Sequence, residues 1–331
     1  MGGTSIAQAL LELPHSPALY PMALNIPRST LLFVRMNEAG YRASSFLDER
    51  AVLESAQGFE VGVAQVTQAI ALPSATRPLH FIFHMGHVGS TLLSRLLDET
   101  GQVLSLREPL PLRAIADAYD IDAPKDDALL ETMLRLWERG FPGTQAVVLK
   151  ATSTAERIAP RLLAMRPKAR AVLMSVSAET YLTTMFAAPY PGQDLNGHGP
   201  ERLMRLERLL KRRLPRPGTI GQLAAMSWLA EHLTQARIAQ SFEDRVLRVD
   251  FDKMLLSMND ALEDVSRFFG LRADRKTIEA IAAGGTLRRY AKAPDREYSP
   301  GIRAARLAAI QSEYRSEIDA ALEWLAKLQT G

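Results

Sequence analysis

Two glycines, a serine and a threonine in the run Phe81-Ile-Phe-His-Met-Gly-His-Val-Gly-Ser-Thr-Leu-Leu-Ser-Arg-Leu-Leu-Asp-Glu-Thr100 have the types and spacing to hold a phosphate. The apolar stretch Phe81 to Phe83 predicts a short buried strand, which breaks at Gly86 and Gly89. Leu92, Leu93, Leu96 and Leu97 then recur on one helical face, up to a stop at Gly101. A strand that turns through glycines into a helix brings backbone amides close to an anion and adds the partial positive charge of a helix start. The nucleoside-triphosphate form of such a loop ends in Gly-Lys-Ser/Thr. Here Gly89 is followed by Ser90 and Thr91, and the first glycine position is His84, so the absent lysine counts against an ATPase or GTPase. A tight turn that binds nothing is the plainer reading of the same residues. A second feature lies just downstream: Glu108 closes the next apolar strand ahead of Pro109, where a carboxylate either faces a ligand or caps the following helix.

The elements that would position these groups alternate along the chain. Strands are expected over Val103 to Leu106, Ala146 to Lys150, Arg170 to Val176 and Arg245 to Phe251. Helical patterns fall around Pro111 to Tyr119, Asp126 to Glu138, Thr154 to Met165, Ala178 to Ala187, Gly221 to Gln240 and Ala261 to Phe269, with a last one from Gly301 to Leu328. Short apolar strands separated by helices imply an α/β fold, a three-layer sandwich with a central, mainly parallel sheet and helices on both faces. This main domain spans residues 77–331. Residues 1–76 form a preface, irregular at Pro14, Pro17, Pro21 and Pro27, with a strand over Thr30 to Met36, mixed helix over Glu38 to Leu53 and an edge strand or hairpin over Phe59 to Ile70. It reads either as an appended layer or lid that helps select a substrate, or as an extension packed on the main sheet. Pro189 to Pro200, with three glycines, reads as a mobile loop. Glu201 to Arg216 reads as a helix with a solvated basic face, the alternative being a landing strip for an anionic acceptor.

Composition narrows the classes. The 331 residues can bury a full core, and 47% apolar with 23% charged residues is ordinary for a soluble globular protein. A net charge of +3 makes a mild case for anionic ligands and a poor one for a dedicated nucleic-acid binder. Without cysteine there is no disulfide, no thiolate catalysis and no cysteine-ligated metal. No stretch reads as a secretory signal or membrane span, so no membrane partner and a cytoplasmic location are expected; the oligomeric state stays open.

The Gly89-Ser90-Thr91 loop resembles the 5′-phosphosulfate loop of sulfotransferases, which also ends in Gly-Ser/Thr-Thr before a helix of the same kind. Residues 80 to 328 follow that resemblance in order, through Trp228, the strand and helix of Arg245 to Leu256, Phe268-Phe269-Gly270-Leu271, and Tyr290-Ala291-Lys292 in place of a bacterial Tyr-Ser-Lys. It implies transfer of a sulfuryl group from PAPS (3′-phosphoadenosine 5′-phosphosulfate) to a hydroxyl or amine, without a metal. By the same resemblance, His87, Val88, Gly89, Ser90 and Thr91 hold the 5′-phosphosulfate, Glu108 is the acceptor's base and Lys150 assists the leaving group. Thr152 stands where the cytosolic branch has its catalytic histidine. Two departures matter. His87 replaces the usual Lys or Arg of the loop, and Ser175, paired with Thr183, replaces the arginine of the 3′-phosphate site. Charge-assisted hydrogen bonds contribute roughly 1.5–3 kcal/mol each, so compensation is required from Arg288, Arg289, Lys292 or Arg296, or the donor site has decayed. Rival readings are therefore a non-catalytic relative on the same fold and, less favoured, a phosphotransferase.

Overall fold

The computed structural model describes residues 6–53, 57–72, 76–119, 127–188 and 191–330. Among the described residues two larger sheets share a core. The first is antiparallel, with β1 (Leu19–Asn25), β2 (Thr30–Arg35) and β3 (Gly58–Gly62) in that order. The second contains β4 (Leu79–His84), β5 (Val103–Arg107), β6 (Ala146–Lys150), β7 (Ala171–Ser175) and β8 (Val246–Asp250). Its order is β5-β6-β4-β7-β8, and every pairing is parallel. A two-stranded hairpin, β9 (Arg289–Tyr290) with β10 (Ala293–Glu297), completes the strands.

The central strands are apolar throughout because both faces are covered. Phe81 and Phe83 face a core shared with Leu104, Leu106, Val147, Leu149 and the first sheet's Tyr20 and Phe33. Ile82 faces a second core with Val103, Val148, Val172 and the loop-helix leucines Leu92, Leu93, Leu96 and Leu97. This period-two alternation is the expected three-layer arrangement, each fully buried side chain contributing about 1.5–3 kcal/mol. Residues of the preface therefore pack on the main sheet. Among the described residues no helix is long and apolar enough to cross a membrane.

Four stretches differ from the sequence expectation. Leu19–Asn25 is a strand despite Pro21, because it lies at the sheet edge and its pairing shifts register beside that proline. Beyond β3 the chain turns helical over Val63–Ile70, with Val66 and Ile70 buried on one face, so Phe59 to Ile70 is not a hairpin. Pro191–Leu210 is one helix containing Pro200, so the glycines there do not make a loop; residues 189 and 190 lie outside the described part. Its basic face divides. Arg202 and Arg205 are buried and both pair with the fully buried Glu231, at 2.9 Å in each case. Arg208 on the same helix, and Lys211 and Arg213 just beyond it, are exposed. Finally, the last helix is two, Pro300–Glu313 and Arg315–Thr330, interrupted at Tyr314. Only the second carries buried residues such as Ile318 and Leu325.

Candidate active site

β4 delivers the glycine loop at the carboxyl edge of the sheet, where ligands of such folds bind. Gly86, His87 and Gly89 all have left-handed backbones, with φ of 90°, 56° and 69°. Glycine is required at position 89 for a second reason: a Cβ there would stand 2.0 Å from Cε2 of the buried Phe251 ring. The helix Ser90–Glu99 starts directly after Gly89, and no side chain caps it. The first-turn N–H groups of Ser90, Thr91 and Leu92 thus have no intrahelical partner. Thr91 Oγ1 is buried without a hydrogen-bond partner. His87, Gly89, Ser90, Thr91, Leu92 and Phe251 line a cavity of about 430 Å³. Its opposite wall carries Arg289, Lys292 and Arg296 from the hairpin and Arg303 and Arg306 from Pro300–Glu313. Arg289, Lys292 and Arg296 form no ion pair among the described residues, while Arg303 pairs with Asp252 at 2.8 Å. Uncapped amides, an orphaned hydroxyl and cations facing them make a cup that fits a phosphate or phosphosulfate.

A second cluster sits beside the cup, carried by three neighbouring strands. Glu108 follows β5, Lys150 ends β6 and His84 ends β4. Glu108 adopts a left-handed backbone, φ 54°, and its N–H donates to the Lys150 carbonyl at 2.7 Å. That turn sends the carboxylate across to Lys150, whose Nζ donates to Oε1. Glu108 therefore does not cap the next helix, Leu110–Ala118, whose N-cap residue is Pro109 and which has no side-chain cap. Lys150 is fully buried, so it is not a surface lysine, while the Glu108 side chain is 20% exposed. Burial pushes the Glu108 carboxyl up, but the Lys150 ammonium, helped by Lys292, outweighs burial and holds it at about 2. Burial also pulls the Lys150 amine down to about 8, against the upward pull of Glu108. His84 is buried, and its Nδ1 accepts the Gly86 N–H at 3.1 Å, which leaves the ring proton on Nε2. Nε2 lies 3.9 Å from Glu108 Oε1. Burial and then the Lys150 charge push the His84 imidazole well below its ordinary value, so the ring is neutral.

The remaining residues singled out by sequence divide clearly. His87, Val88, Gly89, Ser90, Thr91 and Arg289 line the cavity. Ser175, Thr183 and Arg288 do not. Thr183 is buried and its hydroxyl donates to the Glu179 carbonyl of its own helix at 2.8 Å, and its neighbour Thr184 reaches the cavity instead. Neither Lys150 nor Glu108 is among the residues that line the cavity; Lys292 is the lysine on it. The preface adds groups that sequence reasoning did not name. The Phe46 ring has Arg50 over it at 3.8 Å, Lys150 at 5.8 Å and Lys292 at 5.9 Å. Its segment is anchored by Arg107, a fully buried guanidinium that pairs with Asp98 and donates to the Tyr41 and Ser44 carbonyls at 2.9 Å each. The only local signal for that anchor was a charged residue ending an apolar strand.

No family model and no curated protein matches the chain. Among solved structures it is similar to a mouse sulfotransferase complexed with PAP, at 12% identity over 63% of this chain with a TM-score of 0.38. It spans 65% of that protein's length. It is also similar to a sulfotransferase from Alicyclobacillus acidocaldarius, at 17% identity over 75% of this chain and 97% of the other, TM-score 0.40. A Mycobacterium avium sulfotransferase gives 15% identity over 72% and 76%, TM-score 0.41. Likeness at this level is weak, and the chemistry of the site rests on the chain's own residues.

Proposed function

We propose that this chain is a PAPS-dependent sulfotransferase acting on a hydroxyl or amine of a small molecule or peptide. One observation carries the reading. Lys292 lines the cup formed by the glycine loop, and its ammonium and that of Lys150, which holds Glu108, lie over the same Phe46 ring at 5.9 and 5.8 Å, which supports one site for cup and carboxylate. In the reaction the acceptor oxygen or nitrogen bonds to sulfur as the bond from sulfur to the 5′-phosphate oxygen breaks. The products are the sulfated acceptor and adenosine 3′,5′-bisphosphate (PAP). Glu108 takes the acceptor's proton. The loop amides, Thr91 and Lys292 face the phosphate oxygen on which charge grows, the kind of stabilisation that contributes most to such transfers. Lys150 keeps Glu108 ionised and oriented before the donor arrives. As the phosphosulfate pairs with Lys292, the hold of that lysine on Glu108 weakens and the basicity of Glu108 rises. Phe46 of the N-terminal preface stands on the acceptor side of this site, and Arg289 and Arg296 stand in for the arginine missing at Ser175.

Thermal melting tests the reading. A ligand at a hundred times its dissociation constant stabilises a native state by about 2.7 kcal/mol. PAP is expected to raise the melting temperature, and ATP with Mg²⁺ is not. A shift with ATP and Mg²⁺ alone would favour phosphoryl transfer, and no shift with either would leave a non-catalytic relative. A pH profile supplies an independent check. Lys150 is charged below about 8 and neutral above it. Accordingly kcat/KM, which reports the free enzyme, is expected to fall as pH rises through that value, and a flat profile there would remove Lys150 from the mechanism.

A further inference from the structure

The loop helix carries one side chain that touches neither the cup nor the carboxylate, yet reaches both sides of the site. Arg95 Nε donates to the Ala291 carbonyl at 2.9 Å, in the turn of the β9–β10 hairpin. Its Nη1 donates to the Arg42 carbonyl at 3.3 Å, and its Nη2 to the Ala43 carbonyl at 3.2 Å and to Ser45 Oγ at 2.8 Å. Ser45 Oγ in turn lies 3.4 Å from the same Ala291 carbonyl. One guanidinium therefore fixes the residues immediately before Lys292 and Phe46, the two groups whose ammonium and ring meet at 5.9 Å.

The hairpin has little else to hold it. Among the described residues, the hydrogen bonds from residues 289–297 to the rest of the chain run only through the Ala291 carbonyl. Arg289, Tyr290 and Arg296 are exposed, and the pairing of β9 with β10 is irregular. A planar fork with five N–H donors suits such a junction, because it can serve backbone acceptors from two segments at fixed angles, which a lysine cannot.

We infer that Arg95 is a positioning residue, which pins the hairpin against the N-terminal segment and so sets where Lys292 stands over the cup and beside Glu108. The inference rests on the sulfotransferase reading for the identity of the ligand, but its first test does not. The hairpin supplies its own protease sites at Arg289, Lys292 and Arg296. In ligand-free protein, Arg95→Ala is expected to speed tryptic cleavage within residues 288–297 by roughly tenfold, as loss of charge-assisted bonds of this strength implies. Cleavage elsewhere should stay at the wild-type rate. Arg95→Lys, which keeps the charge and loses the fork, should give an intermediate rate and guards against a general folding defect in the alanine variant. An unchanged rate at the hairpin, or equal acceleration across the chain, would overturn the inference.

The second test uses PAP itself. Arg95→Ala is expected to weaken its binding roughly tenfold, and Lys292→Ala by a similar factor. Together they should weaken it no more than Lys292→Ala does alone, since Arg95 acts through that lysine. Losses that multiply would show that Arg95 acts by another route and refute the positioning role. If wild-type protein ignores PAP, the proposed function fails, and the cleavage comparison still decides whether Arg95 pins the hairpin.

Discussion

Glu108→Gln is expected to reduce turnover by two orders of magnitude or more while the melting shift given by PAP persists. The substitution keeps the size of the side chain and an oxygen for Lys150, and removes only the capacity to take a proton. A positioned general base typically contributes about 10² to 10⁴ in rate, and the cup proposed for the donor is built from other residues. The variant carries a second signature. Glu108 is what holds the Lys150 amine as high as about 8 against burial. Without it, the amine falls further, and the alkaline limb of any residual activity moves to lower pH. The sign of the stability effect follows from the same pair. The Glu108 carboxyl is depressed from 4.5 to about 2 in the fold, so its contribution is complete above 4.5 and is lost as pH falls toward 2. The glutamine variant lacks that acid limb. Loss of the PAP shift in Glu108→Gln would move the residue from chemistry to structure.

Gly89→Ala should be the most damaging single methyl group in the protein. A left-handed backbone costs an alanine about 1–2 kcal/mol, and φ at this position is 69°. The added carbon would also stand 2.0 to 2.4 Å from three atoms of the Phe251 ring. That ring is buried and has Arg303 over its face at 4.9 Å, so it cannot simply step aside. Overpacking of this kind costs about 1–3 kcal/mol. The melting temperature is expected to drop by roughly 3–7 °C, and the response to PAP to vanish because the first-turn amides no longer point into the cup. Adding Phe251→Ala should recover part of the stability, by removing the collision but not the backbone strain. A Gly89→Ala protein that melts at the wild-type temperature and still responds to PAP would mean that the loop does not hold the phosphate.

The sheet and the loop were legible because local chemistry dictates them. Phe81 to Phe83 and Ala146 to Lys150 are apolar runs bounded by turn residues, and Gly89 stands where only a glycine fits. Glu108 and Lys150 could be placed at strand ends, and their pairing follows from β5 and β6 lying side by side. What stayed hidden depended on contacts far apart in the chain. Nothing near Phe46 or Arg95 indicates that Lys292 lies over the one and the Ala291 carbonyl meets the other, since those partners are some two hundred or more residues away. Arg202 and Arg205 looked like a wet basic face because the buried Glu231 that neutralises them belongs to another helix. Pro191–Leu210 was masked by its glycines and prolines, whose low helix propensity is overridden by the buried ion pairs and by Leu195 and Leu206. Thr183 was placed by resemblance alone, and the turn of its helix points the hydroxyl inward.

The helix Pro300–Glu313 has no buried residue, yet it roofs the cavity with Ile302, Arg303, Arg306 and Leu307. Its attachments are polar, among them Arg306 to the Ala187 carbonyl at 2.6 Å and Gln311 to Glu179. A ceiling so lightly fastened parts at a small fraction of the free energy that unfolds the sheet below. Whatever occupies the cavity can thus be exchanged through a local breathing event, while His84, Glu108 and Lys150 stay fixed at the ends of β4, β5 and β6.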